Sequence, residues 1–332
     1  DGDAYNIAIG YQAGFAMTTG TQNTLIGGLA GDALTTGVRN VAVGYNALST
    51  EDTTGNAVAI GYQALLSQNA SSDSYNVAVG FKAGEAVTTG VQNTIIGGLA
   101  GDALRTGYYN TALGYKALSA SISGRYATAV GFEALENENA ANTETYNVAM
   151  GFQAGKNVTT GLYNTIIGGL AGDALTTGDK NIAIGYAALS SEDGHGNNVA
   201  IGHSALTLQN AGAEAYNTAV GYEAGKLVST GVQNVLIGGT AGDALTTGSF
   251  NVAIGMEALS TEDALGHTVA IGYRALKMQN ASSNSYNVAI GSSAGAAVTT
   301  GTGNTIVGGL AGDALTTGSY NVALGTYALS NE

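Results

Sequence analysis

Asn6-Ile7-Ala8-Ile9-Gly10-Tyr11-Gln12-Ala13-Gly14 is the stretch on which the fold turns. It reads as a short strand ending at a glycine corner. A second extended piece, Phe15 to Met17, and a turn at Thr18-Thr19-Gly20 follow before the pattern restarts at Asn23. Working outward from Gly10, an anchor glycine recurs nineteen times, at steps of 17, 17, 17 and then 19 or 20 residues. Four modules make one long repeat, and these span 5–74, 75–145, 146–215 and 216–285, with a partial copy at 286–332. A short fixed period running from end to end is the mark of a stacked architecture in which each coil touches only its neighbours. The expectation is an all-β, parallel β-solenoid of about 19 coils of 17–20 residues, forming one continuous domain over 1–332.

Counting from the anchor, position −1 is Ile, Val, Leu or Met in every module, as at Ile9, Ile26 and Val43, and reads as an inward aliphatic ladder. Position +3 is always alanine, as at Ala13, Ala30 and Ala47, which predicts a wall where neighbouring backbones approach closely. Position −4 is Asn in sixteen modules, including Asn6, Asn23 and Asn40, and Ala57, Ala127 or Thr268 in the others. Stacked Asn side chains can bond from coil to coil or satisfy their own turns, and the ladder is the reading adopted. The Thr-Thr-Gly and Ser-Thr-Gly turns, as at Thr88-Thr89-Gly90 and Ser229-Thr230-Gly231, predict positive φ at glycine.

The second module of each long repeat departs in two places. It carries Gly28 or its equivalents where others have an aromatic, and Leu25 or its equivalents where others have alanine. The expectation is that one volume replaces the other in a single packed layer.

Composition narrows the function classes. The chain has no proline, which fits uninterrupted strand stacking, and no cysteine, which excludes disulfides and thiolate metal sites. Its 52 glycines follow no Gly-X-Y triplet, so collagen is excluded. A formal charge of −14 with ten scattered Lys and Arg argues against nucleic acid, whose affinity rests on clustered cations. No apolar run is long enough to span a bilayer, so membrane insertion is not expected. The opening Asp1-Gly2-Asp3 reads as that of a mature product or of a segment of something longer. Nineteen coils at about 4.8 Å each would reach about 90 Å. So thin and alanine-rich a solenoid would bury little, so several chains side by side are expected, most economically three.

The run Asn56-Ala57-Val58-Ala59-Ile60-Gly61-Tyr62-Gln63-Ala64-Leu65 resembles the head repeats of YadA-like trimeric autotransporter adhesins and of phage tail-fibre-like repeat proteins. That resemblance covers the whole chain. It implies a left-handed β-roll, a trimeric rod, an extracellular place on a cell or virion surface, and attachment to a cell-surface glycan or protein. No neck, coiled-coil stalk or membrane anchor of that family is matched.

Candidate sites are few. Gly27-Gly28-Leu29-Ala30-Gly31-Asp32-Ala33-Leu34 approaches a calcium-binding nonapeptide, but Asp32, Asp102, Asp173, Asp243 and Asp313 recur four coils apart, too far to share an ion. They remain weak metal candidates, read instead as turn caps. The same glycines lack the Lys-Ser/Thr of a phosphate loop. Glu51-Asp52, Glu192-Asp193 and Glu262-Asp263 read as solvated carboxylates rather than an acid/base pair, and the matching loop Ala120-Ser121-Ile122-Ser123 has no acid. His195, His203 and His267 do not share a module position, although His203 takes an aromatic slot. No cofactor and no catalysis are expected.

The best candidate surface is the aromatic column Tyr11, Tyr45, Tyr62, Phe81, Tyr115 and Phe132, for which burial or interchain contact is preferred over exposure for stacking on sugar rings. A second set, Tyr5, Tyr75, Tyr146, Tyr216 and Tyr286, follows the wider loops, such as Leu66 to Ser74 and Glu136 to Thr145. Those loops vary most, and variable loops on a rigid scaffold are where recognition sits. The leading reading is a non-enzymatic structural fibre that mediates surface attachment. A filament docking end to end is the alternative, and an ice-binding solenoid a minor one.

Overall fold

The computed structural model describes residues 4–264 and 266–331, so residues 1–3, Leu265 and Glu332 lie outside it. The chain divides into two compact units, Asp1–Asn164 and Thr165–Glu332. Each is a parallel β-solenoid with one three-residue strand per coil. The first unit has nine strands, from Ile7–Ile9 to Val148–Met150, and the second has ten, from Thr165–Ile167 to Val322–Leu324. Within each unit consecutive strands pair in an unshifted register, as in Ile7 with Thr24, Ala8 with Leu25 and Ile9 with Ile26. The extended piece expected at Phe15 to Met17 is not a strand, because residues 11–16 form turns.

The physical reason is a run of left-handed residues on either side of the corner. Gln63 and Leu65, two and four places after their anchor, have φ of 55° and 48°, and Asn56, five places before it, has 61°. A non-glycine residue in this region costs roughly 1–2 kcal/mol. Leu65 is fully buried, which returns about 1.5–3 kcal/mol, so packing can hold the strained turn. The anchor itself admits only glycine: Gly44 has φ +135°, and a Cβ there would stand 2.3 Å from the Gly61 carbonyl oxygen.

Side-chain direction corrects the aliphatic ladder. Strand residues alternate in facing, so with three residues only the middle one points inward. That is position −2: Leu25, Ala42 and Ala59 are fully buried. Ile9, Ile26 and Val43 stand on the outer face instead, with Ile9 59% and Ile26 36% exposed. The alanine wall is found where expected, with Ala30 and Ala47 fully buried and Ala13 half-buried on the first coil.

The volume exchange also runs between different partners than the sequence suggests. Gly28 lies on the outside, where a Cβ would meet the Tyr45 ring at 3.4 Å, so it cannot balance the buried Leu25. Leu25 instead fills the space left by Gly14 and Gly31, whose Cβ atoms would stand 2.8 and 2.9 Å from its methyls. Modules with alanine at −2 later in each repeat carry leucine at +4, as Leu48 and Leu65, so the core alternates the two sites. The turn glycines are likewise required for room rather than dihedral. Gly20 and Gly90 do not have positive φ, but a Cβ on them would lie 2.6 and 2.4 Å from the carbonyl oxygens of Gly37 and Gly107.

The asparagine ladder is present within both units. Asn93 Nδ2 donates to Asn76 Oδ1 at 3.2 Å and to the Gly107 carbonyl at 3.0 Å, while its Oδ1 accepts from the Asn110 N–H at 3.0 Å. Most of its strength is thus side chain to backbone. Ala57 and Ala127 still donate their N–H to Asn40 and Asn110, at 3.0 and 2.9 Å, but offer no oxygen onward. The next asparagine is served by another side chain, Gln68 for Asn76 at 2.8 Å and Glu138 for Asn147 at 2.9 Å.

Candidate functional site

The strands leave an exposed apolar face, because positions −3 and −1 both point out. In the first unit it carries Ile60, Leu113 and Met150, each more than a third exposed, beside Val58, Val77 and Thr111, which alternate with the buried alanines. Aromatic rings border this face on both sides. The column at +1 holds Tyr11, Tyr45, Tyr62, Phe81, Tyr115 and Phe132, all exposed, so the chain does not bury them itself.

Those rings stack on one another in runs of three. Tyr45, Tyr62 and Phe81 have centroids 5.7 and 5.5 Å apart, and Tyr115, Phe132 and Phe152 have centroids 5.5 and 5.4 Å apart. His203 lies between Tyr186 and Tyr222 at 5.3 and 5.5 Å, a stacked ring in the aromatic slot. Gly28 and Gly98 interrupt the column once per long repeat. A ring with neighbours on both faces presents only its edge, so sugar stacking is open only where the column is interrupted.

The second column, at −5, is longer than the sequence reading recognised. Tyr109, Tyr126, Tyr146 and Tyr163 form one stack with centroid steps of 5.2, 5.1 and 5.6 Å. Phe250, His267 and Tyr286 form another at 5.0 and 5.2 Å. Every member stands five residues before an anchor glycine, so the signal was present as an offset. The offset is masked in the sequence because the same position holds Gln22, Arg39, Asn56, Lys180 or Asn197 in other coils. Arg274 lies over Tyr273 of the +1 column at 4.8 Å, and Arg125 lies at 4.5 Å over Tyr108, a ring outside the columns that meets Tyr109 and Tyr126 of the −5 stack edge-on. Arg274 and Lys277 also pair with Glu257, at 2.8 and 2.5 Å.

The acidic loops are corrected most sharply. Glu51, Glu192 and Glu262 are fully buried and only their following aspartates face out, because position +7 points into the solenoid. Glu51 Oε1 accepts from the Thr54 N–H at 3.2 Å, and Oε2 accepts from Gln68 Nε2 at 3.1 Å. The second long repeat, whose loop lacks an acid, carries its interior carboxylate one module later: Ser121 and Glu138 occupy the places of Glu51 and Gln68, and both are fully buried. Burial raises the pKa of Glu138 and of Glu192 above the ordinary carboxylate range, against the hydrogen bonds that oppose it.

Glu192, Asp193 and His195 place ligand-type atoms within 4.8 Å of one another, the one such group of three among the described residues. His195 donates its backbone N–H to Glu192 at 3.1 Å, and its Nδ1 lies 3.6 Å from the same oxygen. Asp32, Asp102, Asp173, Asp243 and Asp313 are outside that group. Burial raises the carboxyls of Asp32, Asp102, Asp173 and Asp243, and backbone N–H groups oppose the shift. Among the described residues no helix is long and apolar enough to cross a membrane. Comparison with protein-family models, curated proteins and solved structures found no match.

Proposed function

We propose that this chain is the shaft of a non-enzymatic extracellular fibre, built as a left-handed roll in which three copies associate, and that it mediates attachment to a surface. The observation that carries the reading is the exposed face, bounded by runs of stacked rings and repeated at every coil with an aliphatic residue at −1 and a β-branched one at −3. A face this regular is complementary to itself, and contiguous apolar surface on a soluble chain marks an interface. Interior polar groups serve largely to hold coil to coil, as in the bonds from Asn93 to Gly107 and from Gln68 to Glu51. The wide loops and the −5 column lie at the edge of the face and supply the attachment chemistry, a glycan or a protein on the target surface.

Sedimentation velocity tests the association. A single species of three chains is expected, and a monomer across micromolar concentrations would overturn the reading. Open-ended polymers under the electron microscope would favour end-to-end filaments instead.

A further inference from the structure

The −5 column contains one glycine. In three of the other long repeats the second module places glutamine there, as Gln22, Gln92 and Gln233, and in the remaining one it places Tyr163. The last repeat has Gly303, between Tyr286 one coil before it and Tyr320 one coil after. Two coils separate the backbones of those tyrosines, about 9.6 Å along the solenoid, and the exposed Tyr320 ring leans into part of that interval, so a ligand ring entering there displaces it outward. The space is a cleft of about 650 Å³ lined by Ser283, Asn284, Tyr286, Thr302, Gly303 and Tyr320.

We propose that this cleft binds a neutral sugar, with one pyranose ring held between Tyr286 and Tyr320. The volume falls in the range of small-ligand sites, which combine apolar walls with a few polar groups. Tyr286 is backed on its other face by His267 at 5.2 Å, so its free face is held in place. Tyr320 leans over the glycine: a Cβ on Gly303 would stand 2.8 Å from its Cδ1. The rim is hydroxyl and amide, from Ser283, Thr302 and Asn284, whose Oδ1 accepts from the Gly266 N–H at 3.4 Å. No lining residue is ionised, so the cleft itself holds no partner for a charged sugar, and the −14 of the chain further disfavours an anionic one. Two of the lining residues, Ser283 and Asn284, belong to the wide loop, so the cleft joins the variable loop to the aromatic column.

The proposal deepens the attachment reading and rests on it for the source of the sugar. Saturation-transfer NMR on the whole chain, with cellotriose and triacetylchitotriose at millimolar concentration, tests it. Transfer to pyranose ring protons is expected with at least one trisaccharide. Gly303→Gln should weaken it at least tenfold while keeping the parent's far-ultraviolet circular dichroism, because Gln22, Gln92 and Gln233 occupy that position at φ of 62°, 57° and 58°, close to the 69° of Gly303, and the exposed Tyr320 ring that the new Cβ would crowd at 2.8 Å has room to swing outward. Tyr286→Leu should weaken it as well. Absence of transfer from both sugars, or transfer untouched by Gly303→Gln, overturns the proposal. So does a silent sugar titration in which Gly303→Gln alters the sedimentation coefficient, since a side chain of a second copy would then fill the cleft. Binding by a monomeric chain would leave the cleft standing and remove the trimer, and a trimer without binding would do the reverse.

Discussion

At Gly114 φ is +140°, and a methyl group would stand 2.2 Å from the carbonyl oxygen of Gly131. Strain and overlap act together there, so Gly114→Ala is expected to cost about 3 kcal/mol or more, read as a fall in the denaturant midpoint of the first unit. Glu138 makes a different kind of demand. Its burial favours the neutral form, so its folded pKa lies above its unfolded one. Such a group stabilises the fold fully below the ordinary carboxylate range, and the contribution is lost as pH rises through the raised value. Thermal unfolding should therefore come at a lower temperature at pH 8 than at pH 5. Glu138→Gln, which installs the residue found at Gln68, Gln209 and Gln279, should flatten that dependence and stabilise the fold at pH 8 by about 1 kcal/mol or more. An unchanged pH profile in the variant would assign the dependence to other groups.

At the scale of the element, each coil is held by one short strand, one rung of the ladder and one corner. Asn93 holds four bonds, so Asn93→Ala leaves the Gly107 carbonyl and the Asn110 N–H without their partners inside the solenoid. The expected loss is about 2–4 kcal/mol, measured by chemical denaturation. Asn6→Ala, in a half-buried position on the first coil, should cost less than half as much, because water can replace its bonds to Gly20 and Asn23. The period, the strand, the corner and the ladder were all legible in the sequence, since each repeats at a fixed offset. Facing was not. With three-residue strands, Ile9 and Ala8 differ by one place, and the larger residue invited the inward assignment, whereas the core here is built from alanine and from leucine on left-handed turns. The interior glutamates were hidden for a similar reason. A carboxylate beside Asp52 reads as solvated until the coil shows that position +7 turns inward to meet Gln68.

For the molecule as a whole, the decisive quantity is how much apolar surface remains outside. A coil that buries alanine gains little from its own core, while its isoleucines and tyrosines stay in water. Covering a fully exposed β-branched or leucine side chain is worth about 1.5–3 kcal/mol, and a partly exposed one returns the share of that which its exposed area represents. Two such residues, Ile60 and Leu113, lie on the outer face of the first unit and are 38% and 43% exposed. Ile60→Lys together with Leu113→Lys places charges there without touching the buried positions at −2, +3, +4 and +7. If the face joins copies of the chain, the double variant should sediment as a monomer, because burying two unpaired ammonium groups costs more than the lost contacts return. Its far-ultraviolet circular dichroism should match the parent spectrum. The parent's melting temperature should rise with chain concentration and the variant's should not, since association stabilises only the folded state. An oligomer that survives both lysines would place the contact elsewhere, on the loops or at the strand edges.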